Sequence, residues 1–255
     1  MRVSISGNTA VVTAQNKNAA YLFEYNGLRW EEVRKLPPSS STGSSFFGVH
    51  VGVEGDVVVV GDRLDDAKGT DAGAVYVYRR SGSAWIEETK LTASDGAAGD
   101  AFGNWLAMSG NVIVVGSFLD DDAGTESGAV YVFRYNGASW VEEAKLTASD
   151  AASFNRFGTA VEIDGDTIVV GTTGKQAAYV FRHNGLLWRE EAILQDSAVG
   201  FGEFFSISGT TRAGLGMGVG ILVQNGIVMV DRLRRAAPDA ESRRRAAARI
   251  TPAIL

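Results

Sequence analysis

The chain has 255 residues, of which 45% are hydrophobic and 21% charged, so it is long and apolar enough to bury a core. It holds 31 glycines, 4 prolines and no cysteine, which excludes collagen, disulfides and cysteine-ligated metal centres and indicates many tight turns. The net charge is −6 and the arginines concentrate in residues 232–255, so the body of the chain is acidic and nucleic acid is excluded as a partner.

Two residue patterns recur along the chain at a regular spacing. Phe-Gly pairs stand at residues 47–48, 102–103, 157–158 and 201–202, in steps of 55, 55 and 44 residues. A tryptophan follows a tyrosine nine residues later four times, in the pairs Tyr21 and Trp30, Tyr76 and Trp85, Tyr131 and Trp140, and Tyr179 and Trp188. Self-similarity at this period indicates a repeated supersecondary unit.

The second unit shows what each repeat is built from. Its strands are predicted at residues 49–54, 57–60, 74–79 and 85–91, with two-residue turns at 55–56 and 81–82. The run of four valines at 57–60 is typical of a strand buried on both faces. A four-stranded antiparallel unit of this size must stack on copies of itself, and radial stacking makes a β-propeller.

The third unit repeats the second almost verbatim, with GAVYVFR at 128–134 matching GAVYVYR at 73–79, and KLTASD at both 90–95 and 145–150. Together with the Phe-Gly pairs and DGDTIVVG at 164–171, this pattern resembles the bacterial-type FG-GAP repeat, a relative of the repeats in the integrin α-subunit propeller. The resemblance covers residues 3 to about 210. It implies an extracellular or cell-envelope setting and a role in adhesion or ligand binding.

The predicted fold is therefore all-β, a complete or partial propeller of four to five blades. Its units are residues 3–46, 47–101, 102–156 and 157–200 and a degenerate fifth unit, 201–231, which keeps a predicted hairpin over 221–230. The first unit lacks a Phe-Gly pair, and propellers have about 4 to 8 blades, so a small ring and a truncated piece of a larger ring are both open. An arginine-rich tail follows at 232–255.

The C-terminal region allows more than one interpretation. Residues 239–250 favour a helix because alanine and arginine are strong helix formers. Residues 213–230 carry no charge and are followed by three arginines, so a membrane anchor over 213–235 is an alternative to strands. Its glycines and the polar Gln224 and Asn225 favour strands. No signal-peptide pattern stands at the start of the chain.

Acidic loops follow the second strand in units two and three, where seven extra residues are inserted. Carboxylates around a glycine can bind calcium, so a calcium site is predicted from these acids, with solvated loops as the alternative. The acids are Asp62, Asp65, Asp66, Asp71, Asp120, Asp121, Asp122 and Glu126. Integrin-type calcium loops lie instead between the first two strands, where this chain has only two-residue turns, so the family's metal residues are not carried over.

The recurring aromatic residues are predicted to pack between blades, with the glycine of each Phe-Gly pair allowing close backbone approach. Trp105 breaks the repeat. It follows Phe102 by three residues, and the equivalent residues in the neighbouring units are His50 and Ala160. We therefore expect Trp105 near the central channel as a ligand-binding residue.

No catalytic constellation accompanies either histidine, so the chain is predicted not to be an enzyme. We expect a binding or adhesion module for a protein or glycan. Its acidic loops and the blade linkers 94–101 and 149–156 should share one face, with Asp65, Asp66, Asp71, Asp120, Asp121 and Asp122 as ligand-binding residues. The alternatives are a fragment without independent function and an enzyme acting on glycans or small molecules through a channel site at His50.

Overall fold

The computed structural model describes residues 1–40, 46–195, 219–223 and 226–230. The described residues form strands with a single short 3-10 turn at Gln15–Lys17. The first two sheets contain β1 (Val3–Ser6), β2 (Thr9–Ala14), β3 (Ala19–Tyr25) and β4 (Trp30–Leu36), then β5 (Val51–Glu54), β6 (Val57–Asp62), β7 (Ala74–Ser81) and β8 (Ala84–Leu91). The next two contain β9 (Trp105–Ser109), β10 (Val112–Ser117), β11 (Ala129–Tyr135) and β12 (Trp140–Leu146), then β13 (Phe157–Asp164), β14 (Thr167–Thr172), β15 (Ala177–His183) and β16 (Trp188–Gln195).

Each of these four sheets is an antiparallel meander whose strands pair in chain order. The register between the third and fourth strands shifts at the same place in every sheet, for example between Val77 and Tyr78 and between Val132 and Phe133. Four sheets built alike, down to one bulge, confirm the predicted four-stranded blades and the all-β propeller fold.

Neighbouring blades bury their facing sheet surfaces against each other. Val57 and Val59 of the second blade pack in one cluster with Phe102, Tyr131 and Trp140 of the third. The second strands β6, β10 and β14 are buried along their whole length, as the valine runs predict. Burial of both sheet faces is what makes a thin four-stranded unit stable, because apolar area removed from water is the main favourable term.

The Phe-Gly pairs lie at these contacts. Phe102 is 1% exposed, and its ring meets Tyr131 edge-on with centroids 5.6 Å apart. A Cβ on Gly103 would stand 2.5 Å from the carbonyl oxygen of Ala74, so only glycine fits. The structure thus confirms the packing role predicted for Phe47, Phe102 and Phe157 and the close approach predicted for the glycines that follow them. Phe201 and Gly202 lie outside the described residues.

Polar clamps join each linker to the next blade's outermost strand. The Ser94 backbone N–H donates to Glu142 Oε2 at 2.9 Å, while its hydroxyl donates to Glu142 Oε1 at 2.7 Å. Ser149 and Glu190 repeat this pair of bonds one blade later at 2.9 and 2.7 Å. The glutamates repeated along the outer strands therefore fix the path of the linkers.

The first blade differs from the other three in exposure. Trp85, Trp140 and Trp188 are 3%, 9% and 7% exposed, as predicted for packing residues, whereas Trp30 is 43% exposed. On the same side of the first sheet, Val3 and Ile5 are 60% and 63% exposed. The packing role predicted for Trp30 is wrong, because no blade among the described residues covers this side of the first sheet.

Strands β17 (Val219–Val223) and β18 (Gly226–Val230) form an antiparallel hairpin, which confirms the hairpin predicted within the fifth unit. The rest of that unit, the predicted helix at 239–250 and the arginine-rich tail lie outside the described residues. Ten residues of the anchor candidate 213–235 belong to this hairpin, and its others are not described. Within the described residues, the structure contains no helix with the length and hydropathy needed to span a bilayer.

Candidate functional site

One end of the blades gathers the inserted loops and the linkers, as the sequence predicts. The Gly99 N–H donates to the Thr70 carbonyl at 2.9 Å, which ties the second blade's loop to the linker that follows it. One unit later the Phe154 N–H donates to the Thr125 carbonyl at 2.7 Å. We call this surface the loop face, comprising residues 62–73, 94–101, 117–128 and 149–156. The two-residue turns lie at the opposite end, which we call the turn face.

Asp120, at the centre of the third blade's loop, is 2% exposed and bound on several sides. Its Oδ2 accepts a hydrogen bond from the Tyr131 hydroxyl at 2.8 Å and lies 2.9 Å from Lys145 Nζ. The same ammonium lies 2.9 Å from Asp95 and 2.6 Å from Asp122. One lysine from the outer strand thus neutralises acids from the loop and from the linker.

The second blade contains the same arrangement. Asp65 is 1% exposed, accepts from the Tyr76 hydroxyl at 2.7 Å and lies 2.6 Å from Lys90 Nζ. Each ammonium also lies over the ring of the tyrosine, with Lys90 Nζ 5.1 Å from the Tyr76 centroid. An ion pair with a second hydrogen bond and a cation–π contact satisfies a buried carboxylate that would otherwise be costly.

The fourth blade, which lacks the inserted loop, pairs the acid beside its tyrosine with a lysine from a different position. Ile193 replaces the outer-strand lysine, and Lys175 from the short loop pairs instead with Asp150. Asp150 Oδ1 accepts from the Tyr179 hydroxyl at 2.7 Å. Each of these three blades therefore keeps a tyrosine, an acid and a lysine in contact, while the position that supplies the lysine changes.

Electrostatics keep this tyrosine–acid–lysine contact charged at neutral pH. Burial acts to lower the pKa of Lys145, but its hydrogen bonds to Asp122, Asp95 and Asp120 outweigh burial and raise that pKa. Burial, together with the neighbouring carboxylates, raises the pKa of Tyr131. Lys145 therefore stays an ammonium and Tyr131 stays a hydrogen-bond donor at neutral pH.

Four of the other predicted metal ligands, Asp62, Asp66, Asp121 and Glu126, are engaged with the chain itself. Asp62 accepts from the Phe46 N–H at 2.8 Å, and Asp66 accepts from the Asp71 N–H at 2.9 Å. Asp121 accepts from the Glu126 N–H at 2.6 Å, while Glu126 lies 2.6 Å from Arg156. Within residues 1–40 and 46–195, no group of three or more histidine or acidic side chains is placed to hold a metal ion. Calcium binding stays a prediction.

Phe154 is the residue of the loop face that departs most from the repeat. Its φ is +65°, a left-handed conformation that L-residues other than Asn and Asp rarely adopt. The preceding linker has Gly99 at the equivalent position, with φ +91°. Phe154 is also 56% exposed, so the strain is not offset by burial of its ring. Sequence reasoning missed this residue, although aligning the two linkers would have found it.

The inner strands β1, β5, β9 and β13 line a cavity of about 340 Å³ in the channel. Trp105 lies beside this cavity, with its ring centroid 4.5 Å from that of His50 and 5.0 Å from the guanidinium carbon of Arg2, both of which line it. Its ligand-binding role stays a prediction. Burial, reinforced by the charge of Arg2, lowers the pKa of His50 to about 3. Burial alone raises the pKa of Glu162 to about 7. Arg2 and Glu162 were not foreseen as cavity residues.

Comparison with protein families gives a match to the FG-GAP repeat at residues 30–78, 85–133 and 140–181, which together make up more than half of the chain. The chain belongs to the FG-GAP repeat family. The match to three successive segments agrees with a repeated unit, and each segment runs from the fourth strand of one blade to the third strand of the next.

Solved structures share the fold of this FG-GAP repeat protein. A functionally unknown protein from Desulfotomaculum acetoxidans matches with a TM-score of 0.59 and 13% identity, over 89% of this chain and 63% of that one. A protein from Lactobacillus plantarum matches with a TM-score of 0.62 and 16% identity, over 97% of this chain and 67% of that one. The FG-GAP chain thus spans about two thirds of these neighbours. No curated protein matches it.

Proposed function

We propose that this FG-GAP protein is a non-enzymatic binding module whose loop face contacts a protein or glycan partner outside the cell or at its envelope. The observation that carries the proposal is Phe154, an exposed aromatic ring held at a strained backbone position on that face. Backbone strain that is not repaid by packing concentrates at functional sites. Exposed aromatic residues are the usual anchors of binding surfaces.

The surroundings of Phe154 fit an interface. Asp121 is exposed, and the side chain of Asp122 is 67% exposed. Both acids belong to the loop whose Thr125 carbonyl accepts the Phe154 N–H, so they share its face. Asp65 and Asp120 are buried in their lysine pairs, and we therefore assign partner contact to the exposed members of the acidic loops. An aromatic centre with a polar rim is the common anatomy of a protein or carbohydrate contact surface.

The binding test uses two defined probes, a phage-displayed random peptide library and a glycan array. Phe154→Asn keeps a residue that tolerates the left-handed conformation and removes the ring, and we combine it with Asp121→Asn. The matched control is Leu186→Ser on the turn face, since Leu186 is 88% exposed and equally apolar. We expect the selected ligands to bind the double variant at least about tenfold more weakly and the control unchanged. Equal binding by the double variant and the wild type would overturn the proposal.

A further inference from the structure

The channel cavity is formed where the innermost strands of four blades come together. Backbone pairing places four residues at the same height on their inner strands, because each pairs with the equivalent residue of the second strand in its own blade. The pairs are Arg2 with Thr13, His50 with Gly61, Trp105 with Gly116 and Ala160 with Gly171. Two residues further along each inner strand lie Ser4, Gly52, Ala107 and Glu162. The first three are small, so Glu162 is the residue of this level that adds a long side chain and a carboxylate to the cavity lining.

Two polar groups of this cavity lack a protein partner among the described residues. His50 Nδ1 is buried without a hydrogen bond. Glu162 makes neither a hydrogen bond nor an ion pair there, and burial is the single cause of its raised pKa. Buried polar groups in native proteins are almost always paired, so such groups in one cavity indicate a bound molecule.

Arg2 supplies the opposite charge at the cavity's other side. Its backbone N–H donates to Thr13 Oγ1 at 2.9 Å, while its guanidinium lies over the Trp105 ring and makes no ion pair with the described residues. The guanidinium is therefore fixed by stacking but its donors face no carboxylate. Besides the charged groups of Arg2 and Glu162, the lining includes the apolar residues Val51, Val53, Leu106 and Met108 together with polar side-chain and backbone atoms of the inner strands.

We propose that the channel cavity binds a free amino acid with an apolar side chain, whose carboxylate pairs with Arg2 and whose ammonium pairs with Glu162. A cavity of about 340 Å³ lies at the small end of ligand pockets and is large enough for such a molecule. The apolar residues of the lining take the ligand's side chain, and His50, whose ring packs on Trp105, lies in the same lining. An ammonium or a carboxylate alone would leave one of the two protein charges unpaired, so zwitterions bind preferentially.

The experiment is a calorimetric titration of the full chain with L-leucine, L-methionine, L-valine and L-phenylalanine, followed in parallel by tryptophan fluorescence. The matched probes for leucine are 3-methylbutylamine, which lacks the carboxylate, and 4-methylpentanoate, which lacks the ammonium. We expect one-to-one binding of at least one amino acid and at least about tenfold weaker binding of the corresponding single-charge analogues. The proposal is overturned if none of the four amino acids binds up to ~10 mM, or if both analogues bind as tightly as leucine.

Substitutions of Glu162 and Arg2 test whether the amino acid binds in this cavity. Glu162→Gln and Arg2→Ala should each weaken binding at least about tenfold. Glu191→Gln is the control, because this residue pairs with Arg182 on the outer strands of the same blade, away from the cavity. A thermal melt of each variant verifies folding first, and leucine-dependent fluorescence of Trp105→Phe, which should lose the signal, gives an independent measure. Unchanged affinity in both Glu162→Gln and Arg2→Ala overturns the proposal, whatever the loop face binds.

Discussion

The loop face and the channel cavity treat their buried carboxylates in opposite ways. Asp120 on the loop face has a lysine and a tyrosine as partners, and the arrangement recurs around Asp65 one blade earlier. Glu162 in the cavity has neither, and other blades have serine, glycine or alanine at its position. The comparison teaches that buried carboxylates repeated with the blades stabilise the fold, while the buried carboxylate that breaks the repeat has no protein partner among the described residues.

The largest expected effect comes from removing the repeated carboxylate. Asp120→Asn should lower the free energy of unfolding by about 3 kcal/mol, because it leaves Lys145 without its buried partner. Asp122→Asn removes a partner of the same lysine, but its side chain is 67% exposed against 3% for Asp120, so it should cost less than about 1 kcal/mol. Chemical denaturation measures both, and equal losses would contradict the distinction.

Acid should destabilise the protein through His50. Its pKa is about 3 in the folded chain and 6.5 as the unperturbed value, so below pH 6.5 the unfolded chain takes up a proton that the folded chain does not. Stability therefore falls as pH drops, by about 2 kcal/mol from this residue between pH 8 and pH 5. His50→Gln should remove that part of the loss. His183→Gln, on the turn face, serves as the control, and a pH dependence that His50→Gln leaves unaltered would refute the prediction.

Phe154 should show a smaller effect of opposite sign. Phe154→Asn relieves a left-handed strain and is expected to raise the free energy of unfolding by about 0.5–1 kcal/mol. The reverse change, Gly99→Phe, introduces the strain at the equivalent position, where a Cβ would have no atom within 4 Å, and should cost about 1–2 kcal/mol. Thermal melts compare the two, and a loss of stability in Phe154→Asn would show that the ring packs.

Calcium should have the smallest effect. Most acids of the inserted loops already bind Lys90, Lys145, Arg156 or backbone N–H groups, so an ion would have to displace protein contacts. We expect the melting temperature to be the same in EDTA and in millimolar calcium. Because a ligand that binds only the native state raises the melting temperature, an increase in calcium would establish an ion site in these loops.

Repetition made most of the fold predictable from sequence. Blade strands, two-residue turns, the packing of Phe102 and the meeting of loops with linkers all follow from spacings that recur in every unit. The pairing of Asp120 with Lys145 joins residues 25 positions apart, and only the folded register brings them into contact. Trp30 was predicted wrongly because its burial depends on a neighbouring blade and not on its own repeat.

The candidate site was less predictable for the same reason. Trp105 was found because it breaks the repeat at an inner strand. Glu162 breaks it as well, two residues further along the strand than Ala160, which occupies the position of Trp105 in its unit. What the sequence could not show is that Glu162 lacks a partner and that Arg2 stacks on Trp105, since both depend on how four blades surround one cavity.

One measurement tests the central distinction most directly: chemical denaturation of Glu162→Gln and Asp120→Asn beside the wild type at pH 8. Burial raises the pKa of Glu162 to about 7, so the folded chain bears an unfavourable charge that grows as pH rises from 4.5 and is complete above 7. Glu162→Gln should therefore raise the free energy of unfolding by about 1–2 kcal/mol, and Asp120→Asn should lower it. A loss of stability in both variants would contradict the account.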